Sequence, residues 1–236
     1  MARGCDFHEL CEKIKYNFKS QNLVECALTH SSYTNEMRQR MIDAPSNERL
    51  EFLGDSVLQL VISEYLYDNY KTFREGALTK LRQQLVCEKT LARIGNRLEL
   101  GKYLNIGHGD EHNDLRGRPK VIADAMEALI AAVYLDAHPD EDAYKNVIIS
   151  LFADEISGLF SGDRLDYKTM LQQFAEQEGT AILEYRIVSE DGPEHNKSFT
   201  VCAYINNNEV GRATSRTKKD AEMRSAKMAL KLFGVI

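Results

Sequence analysis

At 236 residues the chain is long enough for one large domain or two smaller ones. Its apolar fraction of 43% is that of a globular protein, and no apolar run approaches a membrane span. The formal net charge of −6 speaks against a polyanionic partner only if it is spread evenly, and it is not. Between Arg212 and Lys231, the basic residues Arg212, Arg216, Lys218, Lys219, Arg224, Lys227 and Lys231 face only Asp220 and Glu222, and such a stripe on an acidic chain points to a polyanion. The N-terminal residues lack a signal-peptide core. The five cysteines, Cys5, Cys11, Cys26, Cys87 and Cys202, form no CxxC pair. That argues against a zinc site or a disulfide framework and predicts a reducing, cytoplasmic setting.

Residues 5 to about 160 read as helical almost throughout. Leu10, Ile14 and Phe18 predict a first short helix, and Leu23, Ala27 and Leu28 a second, ending at Thr29-His30-Ser31-Ser32. A Ser beside a His is half of a nucleophilic arrangement, but no third group is placed to orient the imidazole, so His30 reads as a helix-end residue. The polar segment 35–44 reads as a loop.

Pro45 and Ser46 look like the start of a long helix, with Ser46 as N-cap, running to about Tyr70. Leu50, Leu53, Val57, Leu60 and Val61 recur at helical spacing and predict its buried stripe. Glu48, Glu51 and Asp55, at i, i+3 and i+7, share one face. Like charges at such spacing destabilise a helix by about 0.2–0.5 kcal/mol per pair, and a bound cation reverses that sign. The plainer reading stays open: Glu48 complements the helix dipole, and Glu51 and Asp55 are solvated. Gly54, inside the helix, costs about 1 kcal/mol against alanine, which suggests that something approaches the backbone closely there.

Arg74-Glu75-Gly76 reads as a turn. Residues 77–98 read as one helix with Leu78, Leu81, Leu85, Leu91, Ile94 and Leu98 as apolar positions. Residues 105–120 read as a loop. Its Gly107-His108-Gly109 is too short to cradle phosphate and follows no strand, and His108, Asp110, Glu111 and His112 read as solvated. The run from Val121 to Leu135 is apolar except for Asp124 and Glu127. A helix apolar nearly all round is buried, and two carboxylates there are costly unless protonated, paired or bound to metal. Two acids one turn apart on one face suit a shared cation; the bland alternative places both at an exposed edge.

Ser161-Gly162-Asp163 marks a break, which predicts a linker over 161–165. Tyr167 to Glu178 reads as a helix, Leu183–Val188 and Phe199–Ile205 alternate as strands, and Glu209–Ser215 reads as a third. Turns fall at Gly192–Asn196 and Asn206–Asn208, and Thr217–Phe233 reads as a helix with an alanine-rich face. Lys218 and Lys219 stand at its start, where a helix N-terminus already favours phosphate; an ordinary solvated face is the alternative.

The stretch from Asn47 to Leu58 closely resembles the signature of the ribonuclease III family, metal-dependent endonucleases of double-stranded RNA. Residues 122–130 resemble that family's second acidic motif. Thr29-His30-Ser31-Ser32-Tyr33, Arg74-Glu75-Gly76 and Glu99-Leu100-Gly101 resemble further landmarks in family order. The order α-β-β-β-α over 166–234 resembles the double-stranded RNA-binding domain, which reads A-form shape rather than sequence. The resemblance implies an all-α catalytic domain over 5–160 and a small α+β RNA-binding domain over 166–236.

By that resemblance the catalytic acids map onto Glu48, Glu51, Asp55, Glu75, Asp124 and Glu127, all of them acidic here. Glu51, Asp55, Asp124 and Glu127 would hold metal, and Glu48 and Glu75 would position RNA and outer-shell water. An all-carboxylate set suits Mg2+, with Mn2+ as substitute, over zinc. Thr169, Gln172, Gln173 and His195 would reach minor grooves, and Arg216, Lys218 and Lys219 phosphates. Two departures stand out: the loop before Asp124 is less Gly/Ser-rich than the family's, and Glu176 puts a carboxylate where a neutral Gln is common. The implied activity is hydrolytic cleavage of duplex RNA, leaving 5'-phosphate and 3'-hydroxyl ends with short 3' overhangs, in rRNA and mRNA processing. The implied assembly is a homodimer, with one protomer for each strand. Phe52 packs either across that interface or in the subunit core, and the sequence leaves both open. The rivals are a duplex-binding protein that does not cut and a metal-dependent hydrolase of a smaller phosphorylated substrate.

Overall fold

The run read from sequence as apolar nearly all round is the most buried of the described helices: Val121, Ile122, Ala123, Ala125, Met126 and every residue from Ala128 to Val133 are removed from solvent. It lies in a computed structural model that describes residues 7–42, 44–71, 73–111, 115–159, 167–177, 182–193 and 197–235. The described elements are α1 (His8–Ile14), α2 (Gln21–Ala27), α3 (Ser31–Gln39), α4 (Glu48–Asn69), α5 (Glu75–Val86), α6 (Glu88–Arg97), α7 (His108–Glu111), α8 (Pro119–Ala137), α9 (Glu141–Leu151) and α10 (Ala153–Gly158), then α11 (Tyr167–Gln177), β1 (Leu183–Asp191), β2 (Ser198–Ile205), β3 (Asn208–Ser215) and α12 (Lys218–Leu232). A helical region followed by α-β-β-β-α is the expected fold class. Contacts divide the chain into two units, Met1–Lys71 with Leu78–Ser157, and Thr72–Ala77 with Gly158–Ile236.

In the first unit α2, α4, α6 and α9 pack around α8. Pro119 at the start of α8 presets a helical φ and lacks the N–H that would go unpaired there. Near the other end, buried Asp136 accepts hydrogen bonds from Tyr16 Oη and from the backbone N–H of Lys19 and Ser20, each at 2.8 Å. Those bonds satisfy the carboxylate and tie the α1–α2 connection to α8. His30 caps α3, its Nδ1 accepting from Ser32 N–H at 3.1 Å, which makes it a helix-end residue as read.

Several local readings are corrected. Residues 35–39, read as loop, complete α3. The N-cap of α4 is buried Asn47, whose backbone N–H donates to Thr29 O at 2.8 Å; Ser46 Oγ instead donates to Glu48 Oε2 at 3.0 Å. The helix read over 77–98 is broken at Cys87, whose extended backbone ends α5 and caps α6. The loop read over 105–120 contains α7, a 3-10 turn at Leu115–Gly117 and the start of α8. Leu60, read as part of the buried stripe of α4, is 62% exposed, whereas Leu50, Val57 and Val61 are buried.

In the second unit the sheet is antiparallel in the order β1-β2-β3, with Cys202 of β2 facing Arg186 of β1 and Arg212 of β3. Asn206 and Asn207 turn the β2–β3 hairpin at φ 49° and 64°, a left-handed conformation that asparagine tolerates. α12 packs on β2, β3 and α11, burying Ala221, Ser225, Ala226 and Ala229. The helix lies so near the sheet that a Cβ on Gly211 would stand 2.2 Å from Ser225 O. Among the described residues no helix is long and apolar enough to cross a membrane.

Candidate functional site

Gly54 is where α4 and α8 cross. A Cβ there would lie 1.9 Å from the carbonyl oxygen of Glu127 and 2.5 Å from its carbonyl carbon, so only glycine lets the two backbones meet. Glu51 stands one turn before Gly54 and Asp55 immediately after it, and Asp124 and Glu127 stand on the facing stretch of α8. The crossing therefore brings acids from both motifs together. One carboxylate oxygen from each of Glu51, Asp124 and Glu127 lies within 4.8 Å of the other two, and all three side chains are half-buried.

The other sequence candidates take different places. Asp55 is close enough to raise the pKa of Glu127, and both its oxygens accept from Gln59 Nε2 at 2.9 Å. Glu48, one turn before Glu51, is exposed and adds to the negative field on it. Glu75 opens α5, is exposed and is not one of the three clustered carboxylates.

Burial and repulsion act together here. Glu127 is pushed up to about 7, first by burial and then by Asp55, Glu51 and Asp124. Glu51 is raised by burial, then by Asp124 and, more weakly, by Glu48. Lys120 opposes both shifts; its Nζ lies 3.2 Å from Asp124 Oδ1. Sequence reading missed Lys120. The available signal was its i, i+4 spacing to Asp124, hidden because residue 120 was read as loop. A hard divalent cation would offset the repulsion among these half-buried carboxylates, which Lys120 opposes only in part. The donor set, all oxygen and all anionic, fits such an ion.

In the second unit Thr217 caps α12 by accepting from Asp220 N–H at 3.2 Å, which sets Lys218 and Lys219 on the first turn. Both lysines and Arg216 are exposed. Gln172 is exposed on α11 and donates to Glu176 at 2.9 Å, so the departure at Glu176 engages a residue assigned to the minor groove. Thr169 and Gln173 lie on α11 with side chains outside the described residues, and His195 lies outside them altogether.

A family model described as Ribonuclease-III-like matches residues 20–154, which contain both α4 and α8, and a double-stranded RNA binding motif matches residues 167–232. The chain belongs to the ribonuclease III family. A Ribonuclease 3 of Oceanobacillus iheyensis is 45% identical over 95% of this chain and 97% of its own. One of Caldanaerobacter subterraneus subsp. tengcongensis is 44% identical over 95% and 97%. The solved nuclease domain of ribonuclease III from Campylobacter jejuni is 37% identical, covering 63% of this chain and 97% of its own with a TM-score of 0.57; its title describes flexibility in a region involved in dimer formation. The ribonuclease III match and the double-stranded RNA motif fall one on each side of residues 155–166.

Proposed function

We propose that the chain is an endoribonuclease of double-stranded RNA that works with Mg2+, Mn2+ serving as substitute. The observation that carries this reading is the Gly54 crossing, which gathers Glu51, Asp124 and Glu127 in a chain that also bears a double-stranded RNA binding motif. Glu51, Asp55, Asp124 and Glu127 hold the ion. When bound, a divalent cation supplies an acidified water and charge stabilisation on phosphate oxygens.

The residues of the chain do the rest. The crossing fixes the backbone of Glu127 beside Gly54, while Asp55, whose two oxygens accept from Gln59, stands outside the three converging carboxylates and would turn from Gln59 to join them. Glu48 and Glu75 orient RNA and outer-shell water from the exposed starts of α4 and α5. No side-chain nucleophile is required, and His30 with Ser32 is occupied in capping. The second unit supplies phosphate contacts through Arg216, Lys218 and Lys219. Products with 5'-phosphate and 3'-hydroxyl ends and short 3' overhangs, and a role in rRNA and mRNA processing in the cytoplasm, belong to the same reading. The thiols of Cys26, Cys87 and Cys202, which form no disulfide, support a reducing compartment.

A homodimer completes the proposal. Phe52, 80% exposed on α4, is not in the subunit core, which favours the reading that it packs across an interface. Phe52→Ala should then lower self-association in sedimentation, and an unchanged dimer removes Phe52 from the contact. For the activity itself, a long perfect duplex should be cut in Mg2+ or Mn2+ and left whole in EDTA. Ca2+ should support binding with little cleavage, because it tolerates looser coordination than the tight octahedron of Mg2+. Robust cleavage in Ca2+ alone contradicts the assigned site, and intact RNA under every condition favours a protein that binds without cutting.

A further inference from the structure

An ion cluster in the second unit reaches beyond the phosphate contacts assigned so far. Glu190, near the end of β1, holds two lysines with its two oxygens: Oε2 is 2.6 Å from Lys197 Nζ and Oε1 is 3.1 Å from Lys218 Nζ. Lys197 immediately precedes β2, and Lys218 opens α12. Phe199 is the cross-strand partner of Glu190, and its ring lies under both ammonium groups, 5.6 Å from Lys197 Nζ and 5.1 Å from Lys218 Nζ. Two elements far apart in sequence thus set two cations over one aromatic face, where the ring's negative π-cloud favours them. All three charged side chains keep contact with water.

The arrangement has the chemistry of a phosphate site. A carboxylate giving one oxygen to each of two ammonium groups offers what two non-bridging oxygens of a phosphodiester offer. Two positive charges against one negative leave a net attraction for a further anion. The lysines pull Glu190 below the usual carboxylate range, Lys197 the more strongly, so the carboxylate stays ionised at neutral pH.

We infer that Glu190 is a built-in competitor for RNA phosphate, holding Lys197 and Lys218 where a backbone phosphate would otherwise bind them. The inference rests on the RNA-binding reading above and adds to it a damping role for Glu190 on Lys197 and Lys218. Duplex RNA must displace the Glu190 carboxylate or bind against its charge. The protein consequently holds RNA less tightly, and with a shallower salt dependence, than its lysines alone would allow.

The test measures affinity of the full chain for one duplex by fluorescence anisotropy in EDTA across a series of KCl concentrations. Glu190→Gln keeps the shape of the side chain and should tighten binding severalfold, steepening the slope of log K against log salt by about one. Lys197→Ala should weaken binding and make the slope shallower by a similar amount. Glu209→Gln is the control, since it removes the same charge from β3, where Glu209 pairs with Arg212 at 2.9 Å. A smaller effect from Glu209→Gln than from Glu190→Gln supports the site, whereas equal effects reduce it to the general field of the domain and overturn it. Unchanged or weaker binding by Glu190→Gln also overturns it. Lys218→Ala with Lys219→Ala separates the two levels: if that pair leaves affinity and slope unchanged, the RNA-binding reading itself fails. If the pair weakens binding while Glu190→Gln and Lys197→Ala change nothing, only the present inference fails.

Discussion

Glu127 carries the strain of the acidic cluster. Its carboxyl titrates near 4.5 when unperturbed and is pushed up to about 7 in the folded protein. Between those values the folded state binds more protons than the unfolded one, so without metal stability falls as pH rises through that window and levels off above it. Glu127→Gln has no such group to ionise. The melting temperature of the metal-free wild type should therefore fall relative to that of the variant between pH 4.5 and 7.5, and added Mg2+ should narrow or reverse the gap. Parallel pH profiles contradict the burial and repulsion described at Glu127. The convergence of Glu51, Asp124 and Glu127 was partly legible, because Asp124 and Glu127 interrupt an apolar run and Glu51 belongs to a row of acids on one helix face, but the sequence did not say that Glu48 and Asp55 would stand outside the three. Lys120 was not, since its role depends on Pro119 starting α8 earlier than the composition of the loop implied. Leu60 was misplaced for a related reason. It stands next to buried Val61 on a helix with apolar residues on more than one side, and periodicity alone does not say which side faces the core.

At the scale of elements the decisive feature is the α4–α8 crossing. Gly54→Ala gains about 1 kcal/mol of helix propensity. Against that, the new Cβ would sit 1.9 Å from a backbone oxygen that cannot swing away as a side-chain tip would. Overpacking of a tight contact costs about 1–3 kcal/mol and sometimes more, so sterics win. Gly54→Ala should lower the melting temperature and also weaken Mn2+ binding measured calorimetrically, because separating the helices separates Glu51 and Asp55 from Asp124 and Glu127. Gly76→Ala is the comparison: nothing lies within 4 Å of its Cβ position on α5, so it should be neutral or mildly stabilising. Equal stability and Mn2+ affinity for Gly54→Ala and wild type contradict the crossing as the device that builds the site. The sequence hinted at this contact through the cost of a mid-helix glycine, but it did not say which element approaches. The break at Cys87 did leave a trace that was passed over: Leu78, Leu81 and Leu85 keep helical intervals, as do Leu91, Ile94 and Leu98, but the six residues from Leu85 to Leu91 do not, and there the backbone of Cys87 turns extended. The β2–β3 hairpin was easier, since consecutive asparagines name a turn and alternation names its strands.

For the whole molecule, the uneven charge of the sequence becomes a division of labour between regions. Acids converge on one crossing in the first unit, while a basic stripe runs along α12 in the second. Binding and chemistry should therefore be separable by mutation, with phosphate contacts setting affinity and salt dependence and the carboxylates setting the rate. The order of the two regions was legible because helical periodicity gives way to alternation near residue 183, and the basic residues cluster after residue 212. The engagement of Lys218 by Glu190 and of Gln172 by Glu176 was not, because those pairings depend on side chains meeting in three dimensions. The most direct test of the central claim pairs two readings on one long duplex in Mg2+, gel-shift affinity and cleavage rate, for wild type and Glu127→Gln. The variant keeps its shape and loses one anionic ligand, so it should bind RNA within about twofold of wild type, the phosphate contacts being untouched, and cut at least about a hundredfold more slowly, since metal activation of water depends on the full ligand set. Cleavage by Glu127→Gln at the wild-type rate contradicts the assignment of the Gly54 crossing as the catalytic centre.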